Sequence, residues 1–259
     1  MHTRYRILLS YALSDAGDLD EAERTLETAL QETAHDEDPY MRVRVYWSMA
    51  RLAEMEGRSP VALRYARRAI TLLEATEDDL HRARAHLLAA WIMNSTGNGT
   101  GAEEQLDLAV TLFGDSASAD DIARVKVERS HCAALAGNGA EAARIAQEAI
   151  DLLGDQHAPI LGAAYAALGH GLGLQQRIDE ADAAFRRGVD LLGESRRWRE
   201  AYQACRAWAA LAREAGRQQQ ALDLLDRAAQ LALHAPPTQG ASADRGVRPQ
   251  GRAADAASA

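Results

Sequence analysis

The chain has 259 residues, of which 47% are hydrophobic, 26% are charged and only 5% are aromatic. Few aromatic residues and many alanines favour close-packed helices over a sheet with bulky cross-strand pairs. The formal net charge of −9 argues against binding nucleic acid through bulk charge, and charged residues interrupt every apolar stretch before it could span a bilayer.

The first segment, MHTRYRILLSYALSD, has an acidic residue soon after its apolar run and no small-residue cleavage site. It therefore does not read as a signal peptide. The two cysteines, Cys132 and Cys205, lack the spacing of a metal or redox motif and suit a reducing compartment. We expect a cytoplasmic protein.

A pattern of turn, alanine and apolar stripe recurs along the chain at a period of about 40 residues, which is the signature of a solenoid. The first two copies read AGDLDEAERTLETAL and EGRSPVALRYARRAI. The predicted repeats span about 1–37, 38–77, 78–117, 118–156, 157–195 and 196–234. Their anchor alanines are Ala22, Ala62, Ala102, Ala142, Ala181 and Ala221.

Each repeat is predicted to contain two helices, because small residues stand twelve positions before and seven positions after every anchor. Small side chains let neighbouring helix axes approach to roughly 8 Å. Four positions after the anchor an apolar stripe continues, from Leu26 in the first repeat to Leu225 in the last. A glycine between the two helices can take the left-handed conformation that ends a helix. The fifth repeat has Arg177 there, which suggests a different turn.

These six copies in phase resemble the tetratricopeptide repeat (TPR) family, and in particular the long-repeat sensor arrays of bacterial helix-turn-helix transcriptional regulators. The resemblance covers residues 4 to 233 and implies an all-α, right-handed TPR-like superhelical solenoid. The unit is longer than the roughly 34 residues of the standard repeat, and the usual closing proline is missing. We find no helix-turn-helix DNA-binding domain in the sequence.

The predicted domain organisation is a solenoid over 1–234 and a tail over 235–259. The tail is rich in Pro, Gly, Ala and Ser and is expected to be disordered. Solenoids usually need polar terminal caps, so we expect either a longer architecture or a homodimer formed through one end.

In the TPR family the first helix of each repeat lines a concave groove, which implies a set of candidate ligand-binding residues here. An arginine recurs in the first four repeats, and aromatic or basic side chains stand three or seven positions further along the same helix. The candidate groove residues are Arg4, Tyr11, Arg44, Trp47, Arg51, Arg84, Trp91, Arg124, His131 and His170.

Two interpretations of the arginines stay open. They can pair internally with acids, as Asp78 would with Arg82 and Asp120 with Arg124 at helical spacing. Alternatively, four arginines on helices about 10 Å apart span about 30 Å. An extended peptide of nine or ten residues at about 3.3 Å each covers that length. Because guanidinium groups bind carboxylates in bidentate fashion, the partner would be a protein or an acidic or C-terminal-carboxylate peptide.

The sequence offers no convincing catalytic, nucleotide or metal site. The glycine-rich segments at 97–101 and 169–173 follow no strand, and His131 and His170 lack a third ligand. Trp47 and Trp91 fit an apolar core as well as a ligand site. We therefore predict no enzyme and no cofactor. The leading hypothesis is a protein- or peptide-binding module, such as the sensor or scaffold part of a regulator; the alternative is a structural assembly or oligomerisation scaffold without a small ligand.

Overall fold

The computed structural model describes residues 2–34, 39–154 and 156–234, which form twelve α-helices and one short 3-10 turn at Gly114–Ser116. The predicted tail lies outside the described residues. The α-helices are α1 His2–Asp15, α2 Leu19–Glu32, α3 Pro39–Met55, α4 Ser59–Glu74, α5 Asp79–Ser95, α6 Gly99–Phe113, α7 Ala119–Leu135, α8 Gly139–Leu153, α9 Ala158–Leu174, α10 Ile178–Glu194, α11 Trp198–Glu214 and α12 Gln218–His234.

The helices pack as six antiparallel pairs that stack into a right-handed TPR-like solenoid, as the repeat predicted. None of the helices in the described ranges is long and apolar enough to cross a membrane. Odd-numbered helices are the first members of the pairs and also contact one another from pair to pair.

The predicted small residues are the points where helices approach most closely. All six anchor alanines are buried. A Cβ added to Gly188 would lie 2.9 Å from the backbone nitrogen of Ala166, and one added to Gly169 would meet the ring of Phe185 at 2.7 Å. These positions therefore tolerate only small side chains, which explains why alanine, serine and glycine recur there.

The predicted apolar stripe differs in the last pair. The equivalent residues of the five preceding pairs are buried, from Leu26 to Phe185, but Leu225 is 48% exposed and Leu224 is buried instead. On this face of α12 no further helix packs within the described part of the chain, so burial shifts to the side that faces α11.

The turn between α9 and α10 corrects the prediction made for the fifth repeat. The position equivalent to the turn glycines is Gln176, one residue before Arg177, and Gln176 has a φ of 61°. Gly137 has a φ of 76° at the equivalent place. The turn is thus the same as in the other repeats, and glutamine takes the left-handed conformation that glycine takes elsewhere.

Side chains at helix starts hold the pairs in place. Asp78 caps α5 by accepting a hydrogen bond from the His81 amide at 2.9 Å. Ser118 and Asp121 form a reciprocal capping box at the start of α7. Tyr40 of α3 donates to the Asp78 carboxylate at 3.0 Å, so this cap also joins two successive repeats.

Candidate functional site

A central cavity of about 750 Å³ lies on the concave side of the solenoid. Its walls come from α3, α5, α7, α9 and α11, the first helices of the second to sixth pairs, with two apolar side chains from α10. This arrangement agrees with what the TPR resemblance implied about the first helix of each repeat. We call this space the central cavity.

The structure brings seven of the ten predicted groove residues together in the central cavity. They are Trp47, Arg51, Arg84, Trp91, Arg124, His131 and His170. The other three lie away from it: Arg4 and Arg44 are exposed elsewhere, and the Tyr11 hydroxyl is hydrogen-bonded to Ser48 Oγ at 3.0 Å. The predicted row of four groove arginines is therefore incomplete, because only Arg84 and Arg124 of that row line the cavity.

The two arginines of the row that reach the cavity have different surroundings. Arg84 donates two hydrogen bonds of 3.0 Å to the carboxylate of Asp121 in the next repeat. Burial alone would raise the pKa of Asp121, but the hydrogen bonds from Arg84 and Ser118 outweigh it and hold that pKa below its ordinary value. Arg84 thus follows the internal-pairing interpretation.

The helical ion pairs expected for the other arginines do not form as predicted. Arg82 pairs with Asp79 at 2.9 Å instead of Asp78, because Asp78 is engaged as the cap of α5. Asp120 lies 3.1 Å from the ring of His157. Arg124 consequently has no carboxylate partner among the residues that the structure describes.

Every carboxylate that lines the central cavity is engaged. Besides Asp120 and Asp121, Glu128 accepts a hydrogen bond from Asn94 at 2.8 Å, and Glu200 accepts one from Arg197 at 3.1 Å. Only Asp121 and Glu200 are hydrogen-bonded to arginines, whereas Asn94 is a neutral donor to Glu128.

Arg51 and Arg124 are the remaining arginines of the cavity wall. Both side chains are accessible to water in the cavity, and neither has an ion-pair or hydrogen-bond partner within residues 2–34, 39–154 and 156–234. Burial lowers the pKa of Arg51, and repulsion from Arg197 and Arg124 acts in the same direction. Glu200 attracts Arg51 from the opposite wall. Arginine stays protonated at neutral pH, so the cavity holds two guanidinium groups that repel each other and that no carboxylate in the described ranges contacts directly.

The remainder of the cavity wall is apolar and aromatic. Leu87, Val127, Ile160, Phe185 and Leu192 contribute to it. Trp47 stacks on His81 with ring centroids 6.0 Å apart, and its Nε1 is buried without a hydrogen-bond acceptor in the described structure. An apolar wall beside placed polar groups is usual in a ligand site, and this cavity has more charged residues than most such sites.

The two predicted histidines lie in different electrostatic environments. Burial alone would lower the pKa of His131, but its hydrogen bond to Glu128 outweighs that effect and raises the pKa. Burial lowers the pKa of His170 to about 4, and the charge of His131 contributes to the shift. No group of three or more His, Cys, Asp or Glu side chains arranged as metal ligands exists within the described residues.

Sequence reasoning missed the contribution of the sixth repeat to this site. Arg197 and Glu200, at the start of α11, face Arg51 of α3 across the cavity. The segment SRRWRE did contain an indication of this role. Arginines at a helix start are unfavourable because the N-terminal end of the helix dipole is positive, so their placement needs another reason. Which groups Arg197 and Glu200 face depends on the curvature of the whole solenoid, and the sequence of one repeat does not determine that curvature.

A second groove, of about 850 Å³, lies on the outer surface between α6, α7 and α8. Its cations are all paired: Lys126 with Glu148 at 2.6 Å, Arg129 with Asp107 at 2.5 Å and Arg144 with Glu141 at 2.5 Å. Of these two spaces, the central cavity is the one with guanidinium groups that no carboxylate contacts directly in the described residues, which is why we assign the candidate site there.

The fold is similar to that of several solved structures. A Rap protein complexed with competence and sporulation factor matches with a TM-score of 0.66 and 14% identity, over 90% of this chain and 77% of that chain. NprR in complex with its cognate peptide NprX matches with a TM-score of 0.68 and 13% identity, over 90% of this chain and 68% of that chain. BtubC from P. vanneervenii matches with a TM-score of 0.56 and 18% identity, over 90% and 97%.

The chain has the tetratricopeptide-like repeat fold. Kinesin light chain TPR-like repeats match as well, with a TM-score of 0.50. No protein-family model and no curated protein matches the sequence. At these identities the likeness establishes the fold and leaves the function to be argued from the cavity.

Proposed function

We propose that the chain is a protein- or peptide-binding module whose ligand occupies the central cavity. The observation that carries the proposal is the pair of unpartnered guanidinium groups of Arg51 and Arg124 in a cavity where every carboxylate is already engaged. Two like charges that repel each other and have no directly bonded counterion are a local cost to the fold. A ligand that carries negative charge removes this cost on binding.

The chemistry of the cavity favours a ligand with a carboxylate next to apolar groups. Arg51 and Arg124 each offer a planar set of donors that matches a carboxylate in bidentate geometry. Leu87, Val127 and Ile160 then face the apolar part of the ligand. An acidic side chain or a C-terminal carboxylate of a short protein segment meets both requirements.

Similar solved structures agree with this proposal at the level of fold. The Rap protein and NprR were each solved in complex with a named factor or peptide. By analogy, we propose that this chain is the sensor or scaffold part of a bacterial regulator in the cytoplasm, without catalytic activity of its own. A change of curvature on binding could pass along the array, since each repeat contacts its neighbours.

The experiment is a selection from a displayed library of random peptides with free C-termini. Wild type is compared with the double variant Arg51→Gln, Arg124→Gln and with a control, Arg64→Gln, Arg187→Gln, which removes two exposed arginines from the outer helices α4 and α10. We expect wild type and control to enrich the same acidic or carboxylate-ended peptides and the cavity variant to lose them. Equal enrichment by all three proteins would contradict the proposal.

A structural scaffold is the second candidate, and ion pairs between successive repeats favour it. Arg58 pairs with Glu23 at 2.7 Å, and Arg227 pairs with Asp190 at 2.6 Å. Such pairs hold neighbouring repeats in register whether or not a ligand binds. If the chain is such a scaffold, the library selection should enrich no peptide that binds in the central cavity. Partners should then contact the outer surface or the ends of the solenoid.

A further inference from the structure

The start of α11 contacts the end of α3, although three helix pairs separate their repeats along the solenoid. Arg199 Nη2 donates a hydrogen bond of 2.9 Å to the Glu54 carbonyl, and Arg199 Nη1 donates to the Met55 carbonyl. These partners are 145 and 144 residues apart in sequence. We call this contact, formed by Glu54, Met55 and Arg199, the α3–α11 clasp.

The chemistry of the clasp is well matched. Glu54 and Met55 are the last two residues of α3, and the final carbonyls of a helix carry the negative end of its dipole. The Glu54 carbonyl also accepts a hydrogen bond of 3.0 Å from the Gly57 amide, and its second lone pair is available to Arg199. A guanidinium with two donors is therefore suited to this position. Arg199 itself lies in the first turn of α11, where a cation opposes the dipole of its own helix, so its placement is explained by α3 and not by α11.

The Glu54 side chain extends the same contact to a third repeat. It is buried, and its Oε1 accepts a hydrogen bond of 2.6 Å from Ser95 Oγ at the end of α5. Its Oε2 is buried without a hydrogen-bond donor in the described part of the chain, and its charge attracts Arg199. The clasp thus joins the second, third and sixth repeats.

We propose that the α3–α11 clasp is a releasable closure of the solenoid that controls access to the central cavity. While it is closed, it brings the walls of the cavity together around about 750 Å³, a volume within the roughly 300–1,000 Å³ typical of small-ligand sites. An extended segment of nine residues is about 30 Å long. On this proposal, a segment of that length lies along the repeats only after the clasp opens.

The clasp can open because little else holds α11 to α3. Each pair packs its apolar surface against its sequence neighbours, and the core clusters stay within neighbouring repeats. Across the cavity mouth, Arg51 of α3 is repelled by Arg197 and attracted by Glu200 of α11, so these charges partly offset each other. An anion bound at Arg51 reduces the repulsion between Arg51 and Arg197. A short anionic ligand in the central cavity therefore favours the closed clasp.

The test is a distance measurement by pulsed electron paramagnetic resonance and needs no ligand, so its outcome is independent of the proposed peptide-binding function. Spin labels are attached at Arg67→Cys on α4 and Glu194→Cys at the end of α10, both exposed positions. The native cysteines are buried, and burial raises the pKa of the Cys132 thiol to about 12, so they react slowly at neutral pH. The distance is then compared in wild type, Arg199→Ala and a matched control on the same helix, Arg213→Ala, whose side chain is exposed.

We expect one narrow distance distribution in wild type and in Arg213→Ala, and a broader distribution with longer distances in Arg199→Ala. Unchanged distances in Arg199→Ala overturn the proposal, and so does a broad distribution in wild type. Circular dichroism of the same samples checks that the helices are intact. If Arg199→Ala has lost them, Arg199→Lys takes its place. That variant keeps the charge but lacks the planar set of donors, and a distribution identical to wild type then overturns the proposal.

Discussion

At the residue scale, the arginines of the predicted row have unequal roles. The Arg84 side chain is 39% exposed but its partner Asp121 only 6%, so Arg84→Ala leaves a nearly buried carboxylate without its main partner. We expect this change to lower the free energy of unfolding by about 1–2 kcal/mol. Arg44→Ala, at the equivalent exposed position, should change it by less than about 0.5 kcal/mol. Urea denaturation of both variants gives the two values, and equal losses would contradict the assignment.

The contribution of Asp121 to the stability of the folded protein depends on pH in a defined direction. Its pKa in the folded protein is lowered, below the unfolded value of about 3.9. The stabilisation is therefore present above that value and is lost as the pH falls through the folded-state pKa. We expect the stability difference between wild type and Arg84→Ala to be constant from about pH 5 to 7 and to shrink below about pH 4. Denaturation across this pH range measures the stability difference between wild type and Arg84→Ala. A difference that grows on acidification would contradict a stabilising ion pair between Arg84 and Asp121.

The two cavity histidines should titrate far apart. The pKa of His131 is raised and that of His170 is lowered to about 4. Burial is the larger cause of the lowering and the charge of His131 the smaller one, so His131→Gln should move the His170 pKa upward while leaving it below its ordinary value. Two-dimensional NMR of the ring protons follows both residues. An unchanged His170 titration in His131→Gln would show that the two rings do not interact.

At the scale of the element, the turn between α9 and α10 allows a reciprocal test of backbone strain. Gln176 has a φ of 61°, which costs a residue with a Cβ roughly 1 kcal/mol relative to glycine. Gln176→Gly should therefore stabilise the protein by about 1 kcal/mol. Gly137→Gln should destabilise it by a similar amount, since Gly137 has a φ of +76° and a Cβ added there would have no atom within 4 Å to compensate the strain.

Thermal denaturation of both single variants and of the double variant checks this pair. In the double variant the two changes should nearly cancel, because the turns lie in different repeats and share no contact. A destabilising Gln176→Gly would mean that the glutamine side chain makes a contact that outweighs the strain.

The elements themselves could be predicted from the sequence, since the spacing of Ala22, Ala62 and the later anchors follows helical packing within and between adjacent repeats. Local rules failed at Gln176, because a left-handed turn without glycine has no strong sequence signal. The buried stripe residue of α12 was misplaced by one position, because burial there depends on the absence of a further packed helix in the described structure.

At the scale of the whole molecule, the curvature of the solenoid determines which groups meet in the cavity. The sequence predicted that Arg51 lines a groove, but it did not indicate that Arg197 and Glu200 face it from the sixth repeat. It left open whether arginines pair across repeats, and Arg84 does so with Asp121 while Arg124 does not. Long-range contacts, such as that of Arg199 with Glu54 across 145 residues, depend on small rotations summed over many repeats.

On the proposed function, Arg51 and Arg124 are the anion-binding groups of a ligand site. The most direct test is a crystal structure of the wild-type protein with a peptide enriched in the library selection. We predict a peptide carboxylate between Arg51 and Arg124, with nitrogen–oxygen distances of about 2.7–2.9 Å. A peptide bound in the outer groove between α6 and α8, or one whose acidic groups all face solvent, would contradict the claim.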